Sequence, residues 1–531
     1  MGILGRVVAI SWHLGMFGLW WALQQAGFIR ARQTPPERLR DTFERLGTAF
    51  VKLGQMLSIR QDMLPPEYVE AMQSLQDEVK PFPVEVAVSI IEKELRRPIS
   101  ELFSLFETTP HAAASIAQVH RATLYDGREV IVKVRRPGIQ RLVAQDLAIL
   151  RGLLRLVLPL VPPLQHYEPL RLIRDIEANM RQEMDFNLEA RNIRRFGRFF
   201  EQAPLILVPQ VIEGLHTEAV LVQAYCEGVR VDRFDDPIDG PVLAEAFVEA
   251  YLSQWFVFGH FHGDPHPGNV LITPDHRLCL IDFGLVGYID QRTRRHLGAY
   301  MQAFTCRDAD WVLDSYLAMG GLAGDIDRDA FRYGLEELLA DYGSLPISEV
   351  SYAQAFLRVA RMGRGHHVRI PQHLLVLNRA LFLMENILQH LHPTMNLTEV
   401  LSRKVERLVE AGEPGFAPSS TRARLRHEGR FVVEDLPESV AKLMHKWHLE
   451  GIKVPIDLRG LTDLEKHLDK ASNRMALALV TLGLYIASSL LMHSNLGPRL
   501  ANFPILAGMG YWLAIWLTLS LANGIYRSGK L

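Results

Sequence analysis

One polar stretch constrains the fold of this chain more than any other, residues 262–269 with the sequence HGDPHPGN. An apolar run at 278–281 follows it and leads into Asp282-Phe283-Gly284, thirteen residues beyond Asn269. Phosphoryl transfer needs one carboxylate beside the reacting group, and an amide and a second carboxylate that hold Mg²⁺ on the phosphates. The spacing therefore predicts Asp264 at the reacting group and Asn269 and Asp282 as Mg²⁺ ligands.

Two other interpretations of this stretch stay open. Residues 262–269 could form a simple polar turn, and residues 282–284 a turn that ends a strand. Alternatively, His262, Asp264 and His266 occupy alternate positions and could bind Zn²⁺. The two prolines and the glycine within the stretch disfavour the regular strand that would present all three on one face.

A nucleotide-binding half is expected upstream. It begins with a loop of small residues, Ala112, Ala113, Ala114 and Ser115. Two β-rich runs follow, separated by Asp126-Gly127, a dipeptide that favours a hairpin turn, and Lys133 lies in the second run. In a kinase nucleotide-binding lobe such a loop covers the phosphates and the strand lysine contacts them. Alanine adopts positive φ less readily than glycine, so we expect a stiffer loop here. A solvated strand lysine is the alternative.

A strand lysine of this kind needs an acidic partner on a helix. The candidates are Glu183, Asp185 and Glu189, within a run that predicts one helix. At about 100° per residue, Glu183 and Glu189 lie about 120° apart, so they cannot serve one lysine equally. Two lysines, Lys52 and Lys133, would give Glu183 and Glu189 a separate partner each. A solvated acidic helix face is the other interpretation.

The region before the nucleotide-binding half is predicted to be helical. Aromatic residues between basic flanks at 3–29 predict a helix in the membrane interface, with a core helix as the alternative. From residue 36 onwards, apolar residues recur every three or four positions in the pattern of one amphipathic helix. Lys52 and Gln55 share a different face of that helix, where a solvated surface is the ordinary expectation.

Composition narrows the classes of function. The net charge is −2 over 531 residues, so no global positive field predicts nucleic-acid binding. The three cysteines, Cys226, Cys279 and Cys306, form no C-x-x-C motif. This favours a reducing compartment and predicts neither a disulfide framework nor a structural zinc site. The chemistry is therefore expected from carboxylates, lysines and amides.

The C-terminal region has the composition of a membrane anchor. Residues 475–493 and 503–523 carry no formal charge and would form helices about 28 and 31 Å long, enough to span a bilayer. Basic residues at the outer ends place both ends, with the catalytic region, in the cytoplasm. A buried soluble hairpin is the alternative. Small residues such as Gly483 and Gly510 would allow close helix packing and leave a homodimer open.

Taken together, these motifs resemble the UbiB family of atypical protein-kinase-like proteins. The resemblance runs from about residue 34 to about residue 410 and includes Lys52-Leu53-Gly54-Gln55, the alanine-rich loop and Glu183-x-Asp185. It implies an α+β, bilobal protein-kinase-like fold with an N-terminal helical extension and a C-terminal transmembrane helical hairpin. It also implies that Lys52 and Gln55 face the active site, with Glu183 and Asp185 as their partners.

The resemblance implies roles for the remaining candidates. Lys133 is expected to contact the nucleotide phosphates and to pair with Glu189. Asp264 takes the place of a kinase catalytic base, and Asn269 and Asp282 are expected to bind Mg²⁺. The expected cofactors are ATP and Mg²⁺.

Six segments follow from these features. They are an N-terminal helix (1–33), a helical extension (34–110), a nucleotide-binding lobe (111–228), a helical catalytic lobe (229–410), a linker (411–470) and a hairpin (471–531). The resemblance implies an ATP-dependent role in ubiquinone biosynthesis at the inner (cytoplasmic) membrane. Membrane lipids, and quinone precursors or quinone-biosynthesis enzymes, are the expected partners. The alternatives are a small-molecule phosphotransferase of the aminoglycoside or choline kinase type and a nucleotide-gated lipid-binding scaffold.

Overall fold

The computed structural model divides into two compact units, Met1–His427 and Glu428–Leu531. We refer to them as the N-terminal and C-terminal units and describe each by itself. The described residues are 3–25, 33–59, 64–75, 80–159, 169–319, 328–342, 348–349, 351–362, 372–410, 461–493, 499–500, 503–504, 507–508 and 510–518.

Short strands of the N-terminal unit form three sheets. The strands are β1 (Leu105–Phe106), β2 (Ala112–Ala113), β3 (Ala117–Thr123), β4 (Glu129–Arg135), β5 (Ile206–Leu207), β6 (Val211–His216), β7 (Val220–Ala224), β8 (Val229–Arg230), β9 (His260–His262), β10 (Val270–Ile272), β11 (Leu278–Leu280) and β12 (Val286–Tyr288). The first sheet has the order β1-β3-β4-β7-β6, with β2 paired to β3, and the second has the order β5-β11-β10-β8. The third pairs β12 with β9.

Strand β4 is the central strand of the first sheet and carries Lys133. As predicted, it is joined to β3 by a tight turn, in which Gly127 has φ of 85°. Lys133 lies opposite Val119 of β3 and Leu221 of β7. The neighbouring residues of β4 are buried β-branched side chains on both faces of the sheet. Hydrogen bonding on both sides of the strand therefore fixes the position of Lys133.

Strands β10 and β11 form an antiparallel hairpin that positions the two predicted metal ligands. Val270 lies opposite Leu280 in the register. Asn269 immediately precedes β10, and Asp282 follows shortly after β11, so both residues lie at the same open end of the hairpin. The Ile281 N–H donates to Asn269 O at 3.1 Å, and this hydrogen bond keeps the two chain segments together at that end.

Helices make up most of the rest of the N-terminal unit. They are α1 (Ile3–Gln25), α2 (Pro35–Leu46), α3 (Thr48–Ile59), α4 (Pro66–Gln73), α5 (Val84–Leu95), α6 (Ile99–Leu102), α7 (Ile139–Val157), α8 (Pro169–Glu183), α9 (Phe186–Phe199), α10 (Asp239–Leu252), α11 (Gln291–Thr305), α12 (Ala309–Met319), α13 (Arg328–Tyr342), α14 (Tyr352–Met362), α15 (Gln372–Leu391) and α16 (Leu397–Glu410). A π-helical turn at Ser253–Phe258 leads from α10 into β9.

The helix predicted from residue 36 onwards is in fact two helices, α2 and α3. Gly47, which separates them, has φ of 88° and ends α2 by donating its N–H to Phe43 O at 3.1 Å. The predicted apolar stripe nevertheless continues across the break, because Phe43, Phe50 and Leu53 are all buried in one cluster. The break turns the chain without exposing the stripe.

Helix α1 lies on the surface of the N-terminal unit. Ile10 and Trp20 are buried, whereas Trp12 on another face is 64% exposed. The Arg6 Nε donates to Asp146 Oδ1 of α7 at 2.7 Å, which fastens the helix at its beginning. The helix is therefore not a fully buried core helix, the alternative considered from sequence.

Cys226 and Cys279 meet in the structure as a disulfide pair, with Cα atoms 7.0 Å apart. This corrects the expectation that the cysteines would form no disulfide. Cys226 lies in the link between β7 and β8, and Cys279 lies in β11. The two are 53 residues apart in the chain and form no local motif, so only the folding of the second sheet brings them together.

The described part of the C-terminal unit contains a long helix, α17 (Leu461–His493), two short paired strands, β13 (Arg499–Leu500) and β14 (Phe503–Pro504), and helical residues at 507–508 and 510–518. Within α17, Met475–Met492 is long and apolar enough to cross a membrane by length and composition, and no other helix in the described ranges is. The helix begins upstream of residue 471, inside the segment predicted as linker. Residues 411–460 of that linker lie outside the described residues.

The second predicted span, 503–523, does not begin as a helix. Phe503–Pro504 pairs with Arg499–Leu500, and helix is described over 510–518. Pro504 has no N–H and restricts φ, which disfavours a helix running through it. Residues 519–523 lie outside the described residues, so the transmembrane hairpin stays a prediction.

Gly54 allows α2, α3 and α4 to pack closely. A Cβ at this position would overlap Leu75 Cδ1 and would lie 2.9 Å from Phe43 Cδ2. We expect Gly54→Ala to lower the free energy of unfolding by about 1–3 kcal/mol, because overpacking forces neighbouring side chains to shift. Gly152→Ala in α7 is the control, since a Cβ there meets nothing within 4 Å. Urea unfolding of both variants measures the difference, and equal midpoints would contradict the prediction.

Glu385 of α15 is buried and caps the beginning of α14. Its carboxylate accepts hydrogen bonds from Tyr352 N at 2.6 Å, Ala353 N at 3.0 Å and Ser351 Oγ at 2.6 Å. These backbone N–H groups have no partner within the helix, so the carboxylate satisfies them. Burial raises the pKa of Glu385 to about 7, although the hydrogen bonds oppose the shift.

We expect Glu385 to make stability fall as the pH rises. The carboxyl keeps its proton in the folded protein up to its raised pKa of about 7, whereas its reference pKa is 4.5. Between these values the unfolded chain binds fewer protons, so the free energy of unfolding falls with pH, by up to about 3 kcal/mol. Glu385→Gln should lose most of this pH dependence in Tm measurements from about pH 5 to pH 8. The same pH dependence in both proteins would exclude Glu385 as its cause.

Candidate active site

A cavity of about 950 Å³ in the N-terminal unit collects most of the predicted site residues. Those that line it are Lys52, Gln55, Ala114, Lys133, Glu183, Glu189, Asp264, Asn269 and Asp282. Four predicted residues do not line it, namely Ala112, Ala113, Ser115 and Asp185. The cavity is at the upper end of the size range of small-molecule sites.

Lys133 lies at the junction of three parts of the site. Its Nζ contacts Glu189 Oε1 of α9 and lies 3.4 Å from Asp282 Oδ2, beyond β11. Glu189 Oε1 also accepts from Phe283 N at 3.5 Å. The Asp282 carboxylate accepts in turn from Gly284 N at 2.9 Å. One ammonium group thus links the first sheet to α9 and to the Asp282-Phe283-Gly284 segment.

The charges of this group follow from its surroundings. Burial alone would lower the pKa of Lys133, but Asp282 and Glu189 raise it above its usual value. Burial disfavours the charged form of Asp282, yet Lys133 and the Gly284 N–H lower its pKa. Burial raises the pKa of Glu189. Lys133 therefore stays an ammonium group near neutral pH, available to an anionic ligand.

Side chains of the π-helical turn and of α10 hold the beginning of the stretch 262–269 in place. Gln254 Oε1 accepts from His262 N at 2.8 Å, and the Tyr251 hydroxyl donates to His262 O at 3.3 Å. The His262 Nδ1 accepts from Asp264 N at 3.2 Å, which orients the backbone at Asp264. Burial lowers the pKa of His262, so its ring is neutral at pH 7. Hydrogen bonds between its backbone and the side chains of Gln254, Tyr251 and His262 thus fix the beginning of the loop.

Asn269 and Asp282 have the donor chemistry that Mg²⁺ prefers. The Asn269 Nδ2 donates to Asp264 O at 3.1 Å, which leaves the amide oxygen of Asn269 as a potential ligand. Asp282 contributes a carboxylate whose pKa is lowered. Hard oxygen ligands of this type suit Mg²⁺, which is usually bound through one or two carboxylates and substrate phosphates. The residues present therefore fit Mg²⁺ together with a nucleotide.

The small-residue loop only partly faces the cavity. Ala112 and Ala113 form β2, opposite Val119 and Gln118 of β3, and Ala114 alone of the four lines the cavity. Ser115 is 1% exposed, and its buried Oγ has no hydrogen-bond partner within the described part of the chain. A buried hydroxyl without a partner is unusual, but because Ser115 does not line the cavity it does not bear on the ligand.

The helix predicted to carry all three acidic residues is interrupted between the first and the last. Helix α8 ends at Glu183, and α9 begins at Phe186 with Asp185 as its N-cap, accepting from Asn187 N at 3.0 Å. An aspartate favours this role, because it satisfies an N–H that lacks a helical partner. Glu183 and Glu189 therefore lie on separate helices, which removes the angular conflict expected from sequence.

Lys52 and Gln55 both face the cavity from α3. The Lys52 Nζ lies 2.7 Å from Glu183 Oε1, so this pair closes one side of the cavity. The Gln55 Nε2 donates to Leu75 O at 3.3 Å, which ties α3 to the end of α4. Asp185, predicted as a further partner of Lys52, instead caps α9.

Sequence reasoning missed a contribution from α15. The Arg379 Nη2 donates to Asp264 Oδ1 at 2.8 Å, and Arg379 and Asn378 both line the cavity. Arg379 lies 115 residues beyond Asp264 in a helix with no recognisable motif. No local pattern could have identified this residue, because only packing of α15 against the stretch 262–269 brings it to the site.

The zinc alternative is not favoured by the geometry. His262 Nδ1 and His266 Nδ1 both accept backbone N–H groups, the latter from Gly268 at 3.0 Å. Within the described ranges, the one group with ligand atoms close enough to share a metal ion is Asp236, Asp239 and His276, away from the cavity.

One cavity brings together a strand lysine paired with a helix glutamate, a loop aspartate, and an asparagine and aspartate with the chemistry of metal ligands. This combination of residues is typical of a protein-kinase-like protein. A "Probable protein kinase UbiB" from Xanthomonas campestris pv. campestris (strain B100) is 30% identical over 515 residues, which is 92% of this chain and 91% of the relative. Another from Marinobacter nauticus is 33% identical over 380 residues, 70% of this chain and 69% of the relative. The chain belongs to the UbiB family of atypical kinase-like proteins.

Three family descriptions match successive parts of the chain. The ABC1 atypical kinase-like domain matches residues 74–316, the UbiB helical domain 335–396 and the ABC1/UbiB kinase-like C-terminal domain 459–527. Among solved structures, a complex of Rv3197 with erythromycin from Mycobacterium tuberculosis has a TM-score of 0.48 and 26% identity, covering 70% of this chain and 94% of that one. The relatives and the matched family domains confirm the family resemblance predicted from sequence and the mixed helix and sheet kinase-like fold.

We expect Lys133→Met to lower the free energy of unfolding by about 3–5 kcal/mol, because the carboxylates of Glu189 and Asp282 lose their shared cation. Adding Glu189→Gln should recover part of the loss, because it removes one of the two carboxylate charges left without a cation. Urea unfolding of wild type, both single variants and the double variant measures the coupling. If the losses of the two single variants simply add in the double variant, the contact between these side chains does not stabilise the fold.

Proposed function

We propose that this chain is an atypical kinase or ATPase that uses Mg²⁺-ATP. The observation that carries the proposal is the convergence of Lys133, Asp264, Asn269 and Asp282 on one cavity. Each has the chemistry that one part of phosphoryl transfer requires, and catalysis of that reaction depends mainly on positioning and charge. Membership of the UbiB family supports the same function.

In the proposed reaction each side chain has a separate task. Lys133, held by Glu189, attracts phosphate oxygens, and Asn269 and Asp282 would hold Mg²⁺, which when bound neutralises charge on the phosphates. Asp264 accepts the proton of the attacking hydroxyl group or water. As the new oxygen–phosphorus bond forms, the bond to ADP breaks. Arg379, 2.8 Å from Asp264, orients the carboxylate.

We further propose that this activity supports ubiquinone biosynthesis at the cytoplasmic membrane. Relatives named probable protein kinase UbiB and the resemblance to that family support this role. The apolar segment Met475–Met492 supports membrane anchoring, and the basic residues outside it favour a catalytic unit on the cytoplasmic side. Lipids, and quinone precursors or the enzymes that process them, are the proposed partners.

We expect the purified protein in liposomes to hydrolyse ATP only with Mg²⁺, and Asp282→Asn to lower the rate about 100-fold because a neutral amide replaces the negatively charged metal ligand. Asp329→Asn, an exposed aspartate of α13, is the matched control and should keep the wild-type rate. Rates are measured as phosphate release, with and without a phenolic quinone precursor.

Two results would contradict the proposed enzyme. Hydrolysis that persists undiminished in Asp282→Asn would show that the turnover does not come from this cavity. Tight nucleotide binding without turnover, with or without the precursor, would favour the nucleotide-gated scaffold instead.

A further inference from the structure

Cys226 lies in a short connection that leads from the first sheet to the second. Tyr225, the residue before it, is attached to the first sheet, because its N–H donates to Glu129 O at 3.0 Å. Gly228 packs on β10 so closely that an added Cβ would lie 2.7 Å from a backbone oxygen of that strand. Backbone contacts therefore leave residues 226 and 227 as a spacer between the two sheets.

The disulfide pair removes this spacer. Cys279, the partner of Cys226, lies in β11. Strand β11 is hydrogen-bonded to β5 on one side and to β10 on the other, so Cys279 moves with the second sheet. A bond to Cys279 attaches Cys226 to that sheet as well. The attachments to the two sheets then fall on adjacent residues, Tyr225 and Cys226.

A second short connection, residues 208–210, also runs between the two sheets, from β5 to β6. It contains Pro209, whose ring restricts φ. Its Gln210 O accepts from Ala224 N at 2.8 Å, which attaches it to the first sheet. Hinges are short segments whose φ and ψ absorb a movement. Of these two connections, the one with Cys226 therefore has the greater backbone freedom when its cysteine is a thiol.

Movement of the two sheets relative to each other changes the cavity. Lys133 belongs to the first sheet, whereas Asn269 and Asp282 lie at the open end of the β10–β11 hairpin of the second. These are the side chains proposed to hold the phosphates and Mg²⁺. A nucleotide held by both groups is released as the sheets separate, so the freedom of the connection affects the rate of release.

We propose that Cys226 and Cys279 form a redox-modification site that controls how fast the protein releases nucleotide. This inference rests on the proposed function, because it concerns a nucleotide in the same cavity. In a reducing compartment, which the sequence favours, both side chains are thiols and the connection keeps its spacer. Under oxidising conditions the disulfide joins the connection to β11, and the sheets separate more slowly.

Hydrogen peroxide supplies the oxidising equivalents of this reaction. The sulfur of Cys226 is 9% exposed and that of Cys279 lies in a residue that is 0% exposed, so Cys226 reacts first. It attacks the peroxide and becomes a sulfenic acid, with release of water. The Cys279 thiol then attacks that sulfur, which forms the disulfide and releases a second water. The thiols lose two electrons and two protons, and a dithiol reductant returns them.

Oxidised and reduced samples of the full-length protein in detergent test the site. Hydrogen peroxide followed by catalase gives the first, and dithiothreitol gives the second. Mass spectrometry of a non-reducing digest should find Cys226 joined to Cys279 after oxidation. Release of a fluorescent ATP analogue, chased with unlabelled ATP and Mg²⁺, should then be about tenfold slower, because fixing one residue of the connection removes its backbone freedom from the open state. Dithiothreitol should restore the faster rate.

Variants of the cysteines locate the effect. Cys226→Ser and Cys279→Ala should each release the analogue at the reduced rate after either treatment. Cys306→Ser is the matched control, because Cys306 is exposed and lies outside the pair, and it should keep the full difference between the two treatments. If Cys279→Ala lowers Tm sharply, Cys226→Ser alone decides.

Hydrogen–deuterium exchange adds a readout that needs no nucleotide. Backbone amides of residues 225–228 should exchange more slowly in the oxidised protein, and Cys226→Ser should lose this difference. A missing disulfide between the pair, equal release rates in both samples, or a peroxide effect that persists in Cys226→Ser would overturn the inference. Absence of analogue binding in both samples would overturn the proposed function instead, and amide exchange would still decide whether the pair restrains the connection.

Discussion

The contact of Lys133 with Glu189 and Asp282 is the constraint on which the rest of the site depends. The three residues come from the first sheet, from α9 and from the segment after β11. Phe283, next to Asp282, packs between Phe196 and His262 at ring distances of 5.0 and 5.1 Å. Buried charges are stable only when they are paired. The first sheet, α9 and the segment after β11 must therefore take relative positions that keep Lys133 in contact with Glu189 and Asp282.

The kinase-like class could be predicted because its motifs combine residue type with local order along the chain. The hairpin at Asp126-Gly127 and the strand that carries Lys133 follow from turn chemistry and apolar patterning. Helix boundaries were harder to predict. The break at Gly47 leaves the apolar stripe intact, so periodicity could not reveal it. The break at Asp185 depends on an N-cap within an acidic run that looks helical throughout.

Contacts between segments distant in the chain could not be predicted from the sequence. Arg379 meets Asp264 across 115 residues, and Cys226 meets Cys279 across 53. In both cases the residue is ordinary in its local context, since an arginine on a helix usually faces solvent and a cysteine in a strand is usually a small apolar side chain. Their partners are determined by how α15 and the second sheet pack, and a single sequence does not encode that packing in any local pattern.

Helix α15 is held at two points by polar side chains on different faces. Arg379 reaches Asp264, and two turns further on Glu385 caps the beginning of α14. Sliding or rotating the helix would break both contacts together, so α15 keeps a fixed position relative to the stretch 262–269. Any widening of the cavity to admit a bulkier molecule must then come from α3 and α4, where the Lys52–Glu183 pair is the one charged contact between α3 and α8 described. A change in the size of this cavity is therefore expected to arise in the N-terminal extension, while α15 keeps its position.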